Sequence, residues 1–194
     1  MHVLGLRPAE VCGMIIACPK GRLRKDLLRK RRIDEAPWPA PTMQIGHTTA
    51  DGSQAYTHTV PQFGLGVFLM SEPGECKASV LAALAAGYTH IDTARAYANE
   101  HEVGQAIKES GVERESLFIT TKLRRGHAVG YEDTLEHCKT SLELLANDYI
   151  ALYLVHAPPE DPEHRAPVWK AMEHCLEQGL SLIHISEPTR RTPI

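Results

Sequence analysis

The chain has 194 residues, 43% of them hydrophobic and 23% charged, with a formal net charge of −3 at pH 7. That length suits one domain with a real core, and no run of about 18 apolar residues is present to span a membrane. The five cysteines (Cys12, Cys18, Cys76, Cys138, Cys175) are scattered without CxxC spacing. This excludes a disulfide framework or zinc site and points to reduced thiols in a cytoplasmic compartment. The eleven histidines show no HxxxH spacing on one helix, so no metal site is expected.

Residues 1–42 are basic, with nine Lys or Arg against four Asp or Glu. Most of the charge lies between Lys20 and Arg32, and Pro37, Pro39 and Pro41 close the segment as an extended linker. We expect a disordered leader ahead of a start near Met43. A nucleic-acid patch would need interleaved aromatics, and an organellar targeting segment a Ser-rich, acid-free composition. The folded domain is expected over 43–179.

From there a regular alternation begins. Asp51-Gly52 is a turn signal, and Phe63–Phe68 is a first strand whose Gly64 and Gly66 allow close backbone approach. A helix over 75–86 presents Val80, Leu81 and Leu84 on one face and stops at Gly87. A short buried strand from Tyr88 to Ile91 ends on Asp92, and the loop beyond carries Tyr97. Asn99 then opens a helix over 100–110, with Glu102 three residues on as in a capping box. The strand Leu117–Lys122 ends on a lysine. A helix over 132–146 carries Leu135, Cys138, Leu142 and Leu145, and a strand over 149–155 ends on His156. Pro167 fits the first turn of a last helix, lined by Val168, Trp169, Met172, Cys175 and Leu176 up to Gly179.

Four strands at intervals of about 25 to 33 residues, each followed by an amphipathic helix, imply a parallel α/β sheet, either doubly wound or a barrel. Gly64-Leu65-Gly66 lacks the third glycine of a dinucleotide fingerprint, which favours the barrel. At a barrel mouth the strand-end residues Asp92, Lys122 and His156 converge with Tyr97. A phenol is a poor acid until a nearby ammonium stabilises its anion. Asp92 would hold Lys122 against Tyr97, and His156 would orient a polar substrate atom. No nucleophile with an adjacent base, no carboxylate pair and no P-loop is present. The set suits proton delivery to a carbonyl oxygen whose carbon takes a hydride, which only a cofactor can donate.

The run Gly87-Tyr88-Thr89-His90-Ile91-Asp92-Thr93-Ala94, continued by Tyr97-Ala98-Asn99-Glu100 and Val103-Gly104, resembles the signature of the aldo-keto reductase family. Val60–Gly66, Phe118–Lys122 and Leu152–His156 resemble its other early motifs in order and spacing. The resemblance covers about residues 58–179. It implies a (β/α)8 TIM barrel, of which only about the first four β/α units are present, binding NADPH without a Rossmann fold. It implies Asp92, Tyr97, Lys122 and His156 as the catalytic set, and Gly66, Val67, Phe68 and Asp92 at the cofactor. Phe68, Tyr97, His156 and Arg124 would face a small carbonyl substrate. A cytoplasmic protein, monomeric at full length and without nucleic-acid or membrane partners, is expected.

Several positions depart from the family pattern. Thr89 and Ala151 replace a common Arg and Asp, and Arg124 and Ala157 stand where tryptophan is frequent, which makes the pocket more open and polar. A complete barrel takes about 250 residues. The alternative to an NAD(P)H-dependent oxidoreductase is therefore a catalytically inactive half-barrel fragment. Residues 180–194 resemble translated read-through of a sequencing-library adaptor and are expected to be a non-native tail.

Overall fold

The structure, a computed structural model, describes residues 15–17, 41–48, 54–124 and 130–186. Its organising unit is the β/α pair. Strands β4 (Gly64–Gly66), β5 (His90–Asp92), β6 (Phe118–Leu123), β7 (Ile150–Val155) and β8 (Ser181–Ser186) lie side by side in chain order, all parallel. Between them run helices α1 (Glu75–Ala85), α2 (Glu100–Ser110), α3 (Tyr131–Leu145) and α4 (Pro162–Glu177). Parallel neighbours need such crossovers, and a curved parallel sheet with helices on its outer side is the arc of an α/β barrel.

The strands form because their residues suit burial on both faces. Phe118-Ile-Thr-Thr-Lys-Leu123 and Ile150-Ala-Leu-Tyr-Leu-Val155 are buried at every position, the pattern of parallel strands covered on both sides. Alternation then sorts the side chains. Ile91, Ile119, Leu123, Tyr153 and Val155 join Val80, Val103, Ile107, Leu142, Leu145, Val168 and Met172 in the core between sheet and helices. Phe118, Leu152, Leu154 and Ile183 face inward and meet Ile45 and Val60. Each such aliphatic side chain contributes roughly 1.5–3 kcal/mol by leaving water.

Ile45 and Val60 belong to a feature beyond the expected units, an antiparallel hairpin of β2 (Thr42–Thr48) and β3 (Gln54–Pro61). Its strands flank the Asp51-Gly52 turn signal, which lies outside the described residues. The hairpin packs its apolar side against the inner face of the sheet, and Pro41 O accepts from Gln62 N at 2.8 Å where it closes.

Four further expectations are corrected or extended. The first strand is only Gly64–Gly66: Val67 N makes its last sheet bond, to Asp92 O, and the chain then turns back at once through Met70 N to Val67 O. Pro167 lies inside α4 rather than in its first turn. The helix starts earlier, where Asp161 accepts from Glu163 N at 2.9 Å and Pro162 takes the first helical position. Within the basic N-terminal segment, β1 (Ile15–Ala17) pairs in parallel with β4; the rest of residues 1–40 lies outside the described residues. Residues 181–186, expected in the non-native tail, continue the sheet as β8 in register with β7. The apolar run Leu182-Ile183-His184-Ile185 satisfies the free edge of β7. Residues 187–194 lie outside the described residues.

One close approach fixes the helix layer. A Cβ at Gly104 of α2 would stand 2.6 Å from Leu145 O and 2.7 Å from Leu144 O, so the end of α3 rests directly on α2 backbone.

Candidate active site

The C-terminal ends of β4 to β7 bring the strand-end residues together. Asp92 is the last residue of β5, held level with Gly66 of β4 on one side and Thr120 of β6 on the other. Lys122 lies one turn of the pleat further along β6, and His156 follows β7. Alternation points Lys122 to the same side as Thr120 and Phe118. Tyr97 ends a short 3-10 turn, Arg95–Tyr97, in the loop after β5.

Lys122 is the centre of the geometry. Its Nζ donates to Asp92 Oδ1 at 2.7 Å, to Thr93 O at 3.1 Å and to Tyr97 OH at 3.2 Å. That exhausts the three donors of an ammonium. The side chains of Lys122 and Asp92 are 2% and 5% exposed, so the charge is desolvated and paired. Burial alone would lower the lysine, but the Asp92 carboxylate and the Tyr97 oxygen outweigh it, and the ammonium is held above the ordinary lysine value. A partly buried phenol therefore sits against a desolvated, paired ammonium. The Tyr97 ring is flanked by Phe68 at 4.9 Å between ring centroids and met edge-on by His156 at 5.8 Å.

The remaining expected residues are placed as follows. Val67 is buried, and Phe68 is 55% exposed beside Tyr97. Arg124, directly after β6, is exposed, and residues 125–129 beyond it lie outside the described residues. Among the described residues no group of three or more His, Cys, Asp or Glu could hold a metal ion. Cys76, Cys138 and Cys175 are buried free thiols, while Cys12 and Cys18 lie outside the described residues.

Sequence reasoning missed a supporting layer. On the helix side of β6, Thr121 Oγ1 donates to Glu100 Oε1 at 2.6 Å, and Arg95 Nε stands 4.0 Å from Glu100 Oε2. Burial raises the Glu100 carboxyl, with Thr121 and Arg95 acting against it. This buried carboxyl thus touches the neighbour of Lys122 and the 3-10 turn of Tyr97. The signal available was an acidic residue at the start of an otherwise amphipathic helix, which also fits a favourable dipole contact.

The capping box expected at Asn99 and Glu102 does not form. Asn99 makes no side-chain cap to α2. Glu102 instead accepts from Gly74 N at 3.0 Å and Lys77 N at 2.9 Å, closing the N-terminus of α1. Tertiary donors outcompeted the local pairing because α1 begins on Gly74, which has no side chain to cap it.

Comparison with known proteins identifies the family. The profile described as Aldo/keto reductase family matches residues 64–186. The chain is 48% identical over 120 residues to glyoxal reductase of Bacillus subtilis, covering 62% of this chain and 42% of that protein. It is 43% identical over 120 residues to morphine 6-dehydrogenase of Pseudomonas putida, covering 62% and 40%. An aldo-keto reductase of Bombyx mori, solved in complex with NADP, superposes with a TM-score of 0.64 at 33% identity over 76% of this chain and 50% of its own. The chain spans about two-fifths of the length of these curated relatives. With its family match running from β4 to β8 over the strands that carry Asp92, Lys122 and His156, the chain belongs to the aldo/keto reductase family.

Proposed function

We propose that this chain carries the proton-delivering side of an NADPH-dependent carbonyl reductase, acting on a small aldehyde or ketone. The observation that carries the reading is the buried ammonium of Lys122 shared between Asp92 and the Tyr97 hydroxyl. A phenol donor backed by a fixed cation suits protonation of an oxygen that gains negative charge as its carbon is reduced. The site fits a nicotinamide partner: Phe68 stands 55% exposed beside the Tyr97 ring, the two planes tilted by 51°, and no side chain present can donate hydride. Gly66, Val67, Phe68 and Asp92 would hold the nicotinamide end, which when bound supplies the hydride to the carbonyl carbon.

The chain's own residues do the rest. Tyr97 gives its hydroxyl proton to the carbonyl oxygen, and Lys122 stabilises the charge left on the phenolic oxygen. Asp92 keeps Lys122 charged and aimed. His156 stands edge-on to Tyr97, where it can donate to the same substrate oxygen, and exposed Phe68 and Arg124 line the approach. The relative acting on glyoxal makes a small dicarbonyl the first substrate to try. We place the protein in the cytoplasm and expect no nucleic-acid or membrane partner.

The test is NADPH-dependent reduction of glyoxal by the chain and by Tyr97→Phe. Loss of the hydroxyl should lower kcat by about 10² to 10⁴ with NADPH affinity nearly unchanged. Turnover of the variant within about tenfold of the parent would show that another group is the acid. Saturable NADPH quenching of the chain's fluorescence checks the cofactor half of this reading, and its absence would refute that half.

A further inference from the structure

Asn99 spends its side chain on the loop across the site. Its Nδ2 donates to Val67 O at 2.9 Å and to Met70 O at 3.3 Å, while its Oδ1 accepts from Thr93 Oγ1 at 3.0 Å. Asn99 is 5% exposed, so these bonds are made in a dry setting where an unmade one costs about 1–3 kcal/mol. The two carbonyls it grips bracket Phe68 and Leu69. Met70 N donates to Val67 O at 3.3 Å, making the segment a tight turn, and Leu69, its third residue, has φ 66°. That position belongs to glycine, and a branched, bulky residue there is strained. Strain of this kind persists only where the surroundings impose it, and the surroundings here are the amide of Asn99. On its other side Thr93 also accepts from Lys122 through its carbonyl. One buried amide therefore links the catalytic lysine to the turn that lays Phe68 on Tyr97.

We propose that Asn99 is a positioning residue that sets the substrate-side wall of the pocket, forcing the Val67–Met70 turn into the strained form that stands Phe68 beside Tyr97. The clamp itself follows from the hydrogen bonds; its effect on substrate rests on the carbonyl-reductase reading above.

The experiment uses the full chain with 4-fluorophenylalanine at its three phenylalanines, Phe63, Phe68 and Phe118, each resonance assigned by substitution. Asn99→Asp keeps the acceptor for Thr93 and sets a carboxylate against two carbonyls. It should move the Phe68 resonance toward that of the free amino acid and leave the Phe118 resonance in place. Adding Leu69→Gly, which lets the turn form unaided, should return the Phe68 resonance. An unmoved Phe68 resonance in Asn99→Asp overturns the proposal. Should Asn99→Asp fail to fold, Thr93→Val is measured instead, since it removes only the bond that orients the amide; a smaller shift of Phe68 alone supports the clamp, and no shift overturns it. In glyoxal reduction Asn99→Asp should raise KM about tenfold and change kcat by less than about threefold, with the pH profile unmoved. A shifted Phe68 resonance in a chain that never turns over an aldehyde leaves the clamp standing and removes the carbonyl-reductase reading. Turnover with an unmoved resonance does the reverse.

Discussion

Acidification should destabilise this protein through His90, by an amount the structure sets. His90 is 5% exposed on β5, with Nδ1 3.2 Å from Pro61 O and Nε2 2.9 Å from Thr120 Oγ1. A carbonyl only accepts, so Nδ1 carries the proton and Nε2 accepts from the threonine hydroxyl; the neutral tautomer is assigned from these partners. Burial pushes the imidazole down to about 4, the Pro61 carbonyl acts against this, and the Lys122 charge adds to it. Because the folded value lies below the unfolded one, the unfolded chain takes up the proton first as pH falls. The stability from neutral burial is present above about 6.5 and is lost as pH drops toward about 4. Going from 6.5 to about 4 corresponds to about 3 kcal/mol, with a slope of up to about 1.4 kcal/mol per pH unit. The assay is urea unfolding of the chain and of His90→Gln across roughly pH 4 to 7.5, since the variant lacks the titrating group and the difference isolates it. The gap between the two should close by about 3 kcal/mol as pH falls through that window. Parallel curves would refute the reasoning.

Other perturbations test the rest of the architecture. Gly104→Ala should destabilise by about 1–3 kcal/mol despite alanine's better helix propensity, because its methyl meets the backbone carbonyls of Leu144 and Leu145; a raised Tm would show that α2 and α3 separate freely. Lys122→Met should cost about 3–5 kcal/mol by leaving Asp92 buried without its cation, and Asp92→Asn added to it should recover part of that loss; a neutral single variant in thermal melts would contradict the buried pair. Glu102→Gln should lose about 1 kcal/mol, and only above the carboxylate range. The α1 backbone donors Lys77 and Gly74 hold Glu102 below its ordinary value against the opposing effect of burial, so its contribution is present at neutral pH and lost in acid. Equal losses at pH 7 and at about pH 3 would contradict this.

The geometry of the candidate site was largely legible in the sequence because three of its residues sit at or next to strand ends, and strand ends are visible. Apolar, β-branched runs such as Phe118–Thr121 announce a buried strand, and the polar residue that follows each run stands at or next to the strand's C-terminal end. The parallel pairing turned residues distant in sequence into neighbours without further information. The layers around that geometry were illegible for a physical reason. Asn99 and Glu102 have the spacing of a local motif, but their partners are Val67, Met70, Gly74 and Lys77. Nothing within one helix says that α1 lacks a cap or that a leucine will need forcing. The β2–β3 hairpin was missed likewise: its strands are short on apolar residues, and the inner face of the sheet supplies the surface that Ile45 and Val60 cover. Pro167 was misplaced because a proline signals a helix start, and the stronger start at Asp161-Pro162 lies five residues earlier.

The alternation of β6 has one more consequence, for strand registration. Lys122 reaches Asp92 on the inner side of the sheet, and its neighbour Thr121 reaches Glu100 on the helix side. A slip of one residue would swap the two faces. It would drive the ammonium among the apolar side chains under the helices and strand two buried carboxyls at once. An apolar strand such as β7 tolerates misalignment far better, since one aliphatic residue replaces another. These back-to-back polar contacts act as a registration key during folding: β6 can dock on β5 in only one alignment without leaving a charge dry and alone. The residues of the candidate site thereby proofread the strand that carries them.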